Sequence, residues 1–370
     1  MPFRDGEWPR YVLREGDILL NEGQSLELVG RAAMYCGYPP DCAFQNTLVR
    51  FQAGPATDRD FALALFRFFQ AAGHFAEIAT QTTSIAHLGS GRFGSLEVAL
   101  PSLPEQRKIA TILSSVDDAI EASQAVIDQL QVVKKAMMAD LLTKGLPGRH
   151  KQFKQTEIGE VPAEWEVLPL SDLVVSGPTN GKSPPAKLVP PGVPTFSIAA
   201  VRDGSVDIFG NLKYTTLSAA DVSKYRLVEG DILIVRGNGN ADLVGRCGLV
   251  QTCPSDCIYP DILMRVAPNA KIARDYLVTV WNADVVHDQI LLKAKTTNGT
   301  YKVNQADVAS VFVPVPPQAE QSQIGGAFSS LNETAMRNRE DLEQLMAVKS
   351  ALMSVLLTGE VRVQLDEDAT

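Results

Sequence analysis

Two stretches of this chain carry an apolar spacing too long for an ordinary globular helix. From Pro104 to Lys144 there is no Gly and no further Pro. Pro104 suits a first helical position, Glu105 favours the positive helix end, and Gly145 supplies a stop. The spacing predicts a helix roughly 60 Å long at 1.5 Å per residue. Its seam has a seven-residue period through Ile109, Ile112, Val116, Ala119, Ser123, Val126, Leu130, Val133 and Met137. The second stretch repeats the register with Ile324, Ala327, Leu331, Thr334, Asn338, Asp341, Leu345, Val348 and Leu352. Leu113, Ile120, Ile127, Phe328 and Leu342 broaden the two apolar faces, while Ser123 and Asn338 interrupt them at the same place. A polar seam residue fixes register at some cost in stability, so the two helices are expected to pair with each other. A whole module joins them, which permits an antiparallel pairing that holds the modules at opposite ends. Two helices docked separately, each on its own module, is the alternative; helices this long exceed what one small module covers.

The rest of the chain is mixed. Apolar alternation around Asp17 to Leu20 and Thr47 to Phe51 predicts strands, and Phe61 to Ala72 predicts a helix. Further on, Gly and Pro clusters at 177–194 and alternating segments at 195–200, 231–236 and 258–266 predict a twisted sheet with short helices. The two parts are copies. Leu13-Arg-Glu-Gly-Asp-Ile-Leu-Leu20 followed by Leu28-Val-Gly-Arg31 recurs as Leu227-Val-Glu-Gly-Asp-Ile-Leu-Ile234 followed by Leu243-Val-Gly-Arg246. Cys42 to Arg50 matches Cys257 to Arg265, Thr82-Thr83 matches Thr296-Thr297, and Glu105-Gln106 matches Glu320-Gln321. Val133-Lys134 and Leu141-Leu142-Thr143 likewise match Val348-Lys349 and Leu356-Leu357-Thr358. A period of about 215 residues far exceeds that of solenoid repeats, so it means two similar modules, and two modules suggest a ligand with two similar halves. The fold class is α+β: two similar domains separated by two long helices that form an antiparallel coiled coil. The expected boundaries are 1–103, the first domain; 104–145, the first helix; 146–154, a linker; 155–317, the second domain; 318–360, the second helix; and 361–370, an acidic tail.

Composition narrows the class. A chain of 370 residues, 45% hydrophobic and 21% charged, has room for two or three globular domains. No apolar signal core opens it and no run of 18 apolar residues occurs, so no membrane association and a cytoplasmic location are expected. The five cysteines, Cys36, Cys42, Cys247, Cys253 and Cys257, form no CxxC pair. Cys42 and Cys257 occupy equivalent positions and read as small core residues, with a structural metal as the lesser alternative. The net charge of −9 argues against a simple basic nucleic-acid binder, yet its distribution matters more. Residues 146–317 hold 17 basic and 17 acidic side chains, whereas 318–370 hold 4 and 9. A neutral middle module can still present a basic face, and tight DNA binding would draw on a partner's charge.

Enzymatic signals fail one after another. Gly177-Pro-Thr-Asn-Gly181-Lys182-Ser183 resembles a phosphate-binding loop, but Ser176 stands where the first glycine belongs, and Pro184 and Pro185 block the helix that should follow. A polar loop with a cationic Lys182 is the better reading. Gly237 to Gly245 has the wrong glycine spacing for a dinucleotide. His74, His87, His150 and His287 show no metal-ligand spacing, and no Ser or Cys sits in a nucleophile elbow. No Pro-Pro pair lies in a methyltransferase box, and no nuclease spacing follows Pro260-Asp261. No cofactor is expected in this chain.

Recognition remains. Lys182, Ser183, Arg202, Arg236, Asn238, Asn240, Arg246, Thr297, Asn298, Tyr301 and Lys302 fall in loop-like or strand-edge stretches with side chains suited to phosphates and base edges. Arg pairs well with guanine and Asn with adenine, whereas Lys and Thr more often hold the backbone. Because Arg31 and Arg246 recur in both copies, as do Arg50 and Arg265, bracing of the fold is their alternative role. For the coiled coil and partner surface the candidates are Ile109, Val116, Leu130, Met137, Ile324, Leu331, Asn338, Leu345 and Leu352.

Taken as a set, several motifs resemble the specificity subunits of type I restriction-modification systems. They are Leu100-Pro-Ser-Leu-Pro-Glu-Gln-Arg-Lys-Ile-Ala110 and its echo Val315-Pro-Pro-Gln-Ala-Glu-Gln-Ser-Gln-Ile324, each opening a long helix that ends in Leu-Leu-Thr. Ile158-Gly-Glu-Val-Pro-Ala-Glu-Trp165 as a module opening and the repeated Glu-Gly-Asp-Ile-Leu complete the set. The resemblance implies two target-recognition domains, each reading one half of a split double-stranded DNA sequence. It also implies that the helices set the spacer and dock two methyltransferase subunits, which carry S-adenosylmethionine; a motor-nuclease subunit joins for restriction. One departure stands out. In the second module 65 residues separate Trp165 from Gly230, but Gly16 has only 15 residues before it. The first domain is therefore expected to be shortened by roughly 50 residues at its start, and the alternative function is a truncated scaffold that binds methyltransferase without reading DNA.

Overall fold

A computed structural model describes residues 6, 8–81, 85–202, 204–297 and 299–365. Asn298, the pair Thr82 and Thr83, and tail residues 366–370 lie outside the described residues, as does the side chain of Thr297. The chain divides into two compact units, Met1–Val126 with Asn338–Thr370, and Ile127–Arg337.

Each unit is built on the same turn. Gly16 and Gly230 both have φ of +90°, which a β-carbon makes costly, and each leads into a buried aspartate. Asp17 accepts from the Arg14 amide and Asp231 from the Val228 amide, each at 3.0 Å. Arg50 and Arg265 then approach these carboxylates at 3.8 Å in both units. They also donate to the carbonyls of Val12 and Arg226, just before the turn. These two arginines brace the fold, and the repeated Glu-Gly-Asp is the turn they hold.

From the turn runs a central strand, Ile18–Asn21 in the first unit and Ile232–Val235 in the second. In the first unit it lies between Ala32–Met34 and Leu48–Phe51, antiparallel to both. In the second unit the equivalent three strands are the middle of a six-stranded sheet, extended by Val174–Asn180 on one side and by Gly204–Val206 and Val201–Arg202 on the other. The stretch read as a phosphate-loop mimic is thus a strand as far as Asn180. Gly177 bulges it, since a β-carbon there would sit 2.3 Å from the Arg265 carbonyl. The helix expected at Phe61 to Ala72 is Arg59–Ala71, capped by the Asp58 carboxylate.

The long helices are Leu103–Lys144 and Gln318–Leu356. In the first unit Ile109 and Leu113 share a cluster with Leu352, Met353, Leu356 and Leu357, and Lys349 bonds Asp117. In the second unit Met138, Leu141 and Leu142 share a core with Ile324, Phe328 and Leu331, and the Lys134 ammonium donates to Asn332 at 2.7 Å. In each unit the start of one helix meets the end of the other, so the coiled coil is antiparallel. Ile109 and Ile324 are buried, whereas Val116, Leu130, Met137, Leu331, Asn338, Leu345 and Leu352 are half-buried.

Alternate seam positions need correction. Val126, Val133 and Val348 are 45%, 36% and 49% exposed, while Leu113, Ile127 and Phe328 are 3%, 3% and 0% exposed. The seam passes through Leu113, Ile120, Ile127 and Lys134, and through Phe328, Ala335, Leu342 and Lys349, each one residue beyond the position read from the period. A heptad can step four then three as well as three then four, and apolar residues occupy both sets, so periodicity alone left the choice open.

Each long helix is bolted to its own unit by the repeated Glu-Gln. Gln106 accepts from the Asp58 amide at 2.8 Å and donates to the carbonyls of Ala56 and Pro101. Gln321 does the same with the Ala273 amide at 2.7 Å and the carbonyls of Lys271 and Pro316. The neighbouring glutamates clasp the segment that follows the other helix. Glu105 receives a two-pronged bond from Arg362. Glu320 is buried and accepts from the Leu146 amide at 3.0 Å, His150 at 2.9 Å and the Trp165 indole at 3.2 Å. Burial opposes the Glu320 charge, but these hydrogen bonds outweigh it and hold its carboxyl below the ordinary value.

Cysteine burial departs from the sequence reading in one case. Cys257 is buried, but Cys42 is only half-buried. Cys257 packs with Phe196, Ile208 and Leu233, in a layer supplied by residues 196–212 that has no counterpart among the described residues of the first unit.

Candidate nucleic-acid interface

The candidate surface of the second unit grows out of the end of the central strand. Ile232 to Val235 are all buried, and the chain leaves the core at Arg236. The Arg236 amide donates to the Ile262 carbonyl at 2.8 Å, and its carbonyl accepts from Val303 at 3.0 Å, so its backbone ties the core sheet to a second, small sheet. That sheet has Gly237–Asn238 against Thr300–Lys302, which pairs with Lys295–Thr297. Glycine suits position 237, because a β-carbon would lie 2.9 Å from the Lys302 side chain and 3.1 Å from the Tyr301 carbonyl and would force both to shift. Beyond it Asn238 accepts from the Asn240 amide at 2.9 Å and Asn240 from the Asp242 amide at 3.0 Å. Successive Asx turns of this kind shape the bend after the strand.

The structure brings together Arg236, Asn238, Asn240, Tyr301 and Lys302 on this small sheet and its bend, with Asn240 and Lys302 exposed. Lys182 and Ser183 join the same end of the core sheet, since Lys182 bonds the Tyr259 carbonyl through its amide and Ser183 bonds Asp261. The Arg236 guanidinium reaches the Asp261 carbonyl at 3.4 Å. Lys182 is engaged with Asp221 at 2.7 Å, a contact that first, with a Ser218 hydrogen bond second, holds the Asp221 carboxyl below its ordinary value. Arg246 points into the fold and donates to the carbonyls of Asp242 and Asn282. Arg202 is exposed on the far edge strand of the six-stranded sheet, beside Arg246 in a cavity of about 340 Å³.

Two polar atoms of this region are buried without a hydrogen-bond partner among the described residues: Nε of Arg236 and Oδ1 of Asn180. Asn180 pairs with Met264, and Arg236 bonds Ile262, so both flank the start of strand Leu263–Pro268. Buried polar atoms are nearly always satisfied by protein groups, ordered water or a bound partner, so these two mark where the sheet end is open to a further hydrogen bond. Asn180 was hidden in the sequence by its place inside the failed phosphate-loop motif; only its pairing beside 264 singles it out.

The remaining chemistry is structural. His287 is buried, its Nε2–H donates to the Val244 carbonyl at 2.8 Å, and its pKa is lowered by burial first and by the Arg246 charge second. Burial pushes the Cys257 thiol up to about 12. No group of His, Cys, Asp and Glu able to hold a metal occurs among the described residues, and none of the helices is long and apolar enough to cross a membrane.

Comparisons with known proteins agree with this architecture. The type I restriction modification DNA specificity domain matches residues 7–132 and 162–346. The MjaVIII specificity subunit of Methanocaldococcus jannaschii is 28% identical over 373 residues, spanning 98% of this chain and 84% of that protein. The EcoKI specificity subunit of Escherichia coli is 24% identical over 313 residues, 79% of this chain and 64% of that protein. Among solved structures, the type I S subunit from M. genitalium superposes with a TM-score of 0.59 at 14% identity, covering 94% of this chain and 84% of that one. A chain from a type I system studied for its assembly and conformational transition gives 0.56 at 17% identity, covering 95% and 83%. The matched domain thus covers both copies of the repeat, and the chain belongs to the type I restriction-modification specificity subunits, the non-catalytic members that recognise DNA and assemble with the other subunits of the system.

Proposed function

We propose that this chain gives a type I complex a split target: domains at 1–103 and 155–317 each read one half of a double-stranded DNA sequence. The helices at 104–145 and 318–360 dock two methyltransferase subunits, and S-adenosylmethionine is held by those partners. A motor-nuclease subunit completes the restricting form. The observation that carries the reading is the doubled architecture, in which the same turn, brace and small three-stranded sheet are built twice. In the second domain the DNA-facing set is Lys182, Ser183, Arg202, Arg236, Asn238, Asn240, Arg246, Thr297, Asn298, Tyr301 and Lys302. Lys182 and Arg246 contribute least, because their charges are spent on Asp221 and on backbone carbonyls.

The narrow sheet of the first unit favours a second reading, in which this chain binds methyltransferase but the first domain reads no bases. Single-molecule sequencing of methylated adenines, in cells expressing the chain with its cognate methyltransferase, separates the two. A motif with two specified halves is expected; a motif with one half favours the second reading, and methylation at no defined sequence overturns both in favour of a truncated scaffold that binds methyltransferase without reading DNA.

A further inference from the structure

The small sheet after the central strand exists in both units. Gly23–Gln24 pairs with Ala86–His87, which pairs with Thr80–Gln81, in the order found for Gly237–Asn238, Thr300–Lys302 and Lys295–Thr297. The residue that enters it is held identically. The Glu22 amide donates to Thr47 at 2.9 Å and its carbonyl accepts from Leu88 at 2.8 Å, as the Arg236 amide donates to Ile262 and its carbonyl accepts from Val303. The neighbouring position is equivalent too, since His87 faces Gly23 where Lys302 faces Gly237. At one structural position, therefore, the backbone is the same and the side-chain chemistry is reversed. The first unit offers an acceptor, the Glu22 carboxylate, with His87 at 3.3 Å. The second offers donors, the Arg236 guanidinium end, which reaches the Asp261 carbonyl at 3.4 Å, next to the Gly237–Lys302 pair.

We propose that positions 22 and 236 set base choice in the two half-sites, and that they read opposite hydrogen-bonding edges. Arg236 donates its fork to the paired acceptors of guanine. Glu22 accepts from an exocyclic amino group, which only cytosine and adenine present in the major groove. A pair of framework residues would have no reason to invert its charge while keeping every backbone bond, because the turn, the brace and the long-helix bolts keep theirs. The inference rests on the reading that both domains contact DNA.

The test is the methylation motif of the intact complex in cells carrying wild type, Arg236→Gln, Arg236→Lys or Glu22→Gln. Arg236→Gln is expected to lower discrimination at one base pair of one half-site by roughly tenfold to a hundredfold and leave the other half unchanged. Arg236→Lys keeps the charge but loses the fork, so it relaxes the same base pair and covers the case in which the glutamine variant fails to fold. Glu22→Gln alters one base pair of the opposite half-site. An unaltered motif, or methylation that falls evenly at an unaltered motif, overturns the proposal and makes these side chains backbone contacts or framework. If wild type itself yields no motif, the DNA-reading function fails first; if it yields a single half, the assignment of Glu22 fails alone.

Discussion

The central strands of the two units differ in one respect that organises the rest. Ile18 to Asn21 alternates between buried and half-buried, whereas Ile232 to Val235 is buried throughout. The first strand is covered on one face by its helices; the second is covered on both, because residues 196–212 lay Phe196, Ala200 and Ile208 over Leu233 and Val235. A strand buried on both faces reads as a continuous apolar run, and one buried on a single face reads as alternation. The sequence differs accordingly, with Asn21 where the second unit has Val235. The comparison teaches that the repeated part is the framework, made of turn, brace and helix anchorage, while the added layer and the side chains at the sheet ends distinguish the units.

The glutamate clasps break this comparison most sharply. Glu320→Ala strands buried His150 and Trp165 groups and should cost about 3–5 kcal/mol in denaturant unfolding of the second unit. The equivalent Glu105→Ala faces the largely exposed Arg362 and should cost clearly less. Equal losses would show that the two clasps are interchangeable. Next in size, Leu113→Ala and Phe328→Ala, at equivalent seam positions, should each cost about 2–5 kcal/mol, while Val126→Ala and Val348→Ala should change stability by less than about 1 kcal/mol. A reversal of that order would restore the seam read from the period.

Asp17→Asn and Asp231→Asn should give smaller losses, about 1–3 kcal/mol each by thermal unfolding, with Asp17 the larger because its carboxylate also accepts from Gln52 at 2.8 Å. Acid should weaken the clasp of both units, because Glu105, through its Arg362 hydrogen bond, and Glu320 are both held below the ordinary carboxyl value. A carboxyl held below its ordinary value stabilises the fold above that value and loses the contribution as pH falls through its folded value. For Glu320 the loss begins as the pH drops below its ordinary 4.5, and Glu320→Gln should flatten this part of the stability curve. An unaltered acid limb in the glutamine variant would place the titration elsewhere. Smallest of all, Lys349→Met and Lys134→Met should each shift stability by no more than about 1 kcal/mol, since both cross-helix pairs are partly open to solvent.

Much of the framework was legible in advance for a physical reason. Glu-Gly-Asp, Glu-Gln and the paired arginines recur because each performs the same task in both units, a left-handed turn, a brace or a helix anchor, that needs the same residue wherever the backbone repeats. The first long helix was legible because no Gly or further Pro interrupts it between Pro104 and Gly145, and the second because it repeats the same register. The seam was legible only to within one residue, since Ile112 and Leu113 are both apolar and the period cannot choose between them. At the interface, Arg236, Asn238, Tyr301 and Lys302 fell in recognisable turn and edge stretches, but the inward use of Arg246 on Asn282 depends on a contact across 36 residues. Nothing local marks Asn180, whereas the equivalence of Glu22 and Arg236 follows from the repeat, since each stands two residues beyond its Leu20 or Ile234.

By itself the sequence determined that the chain is two copies of one α+β plan joined by two long helices, and the motifs that place it among specificity subunits. Those features are periodic or repeated, and periodicity survives without coordinates. Tertiary structure alone decided the helix register, the closing of each glutamate on the segment after the other helix, and the covering of one central strand on both faces. Each of these joins residues distant along the chain, and which distant groups meet is set by packing rather than by any local preference.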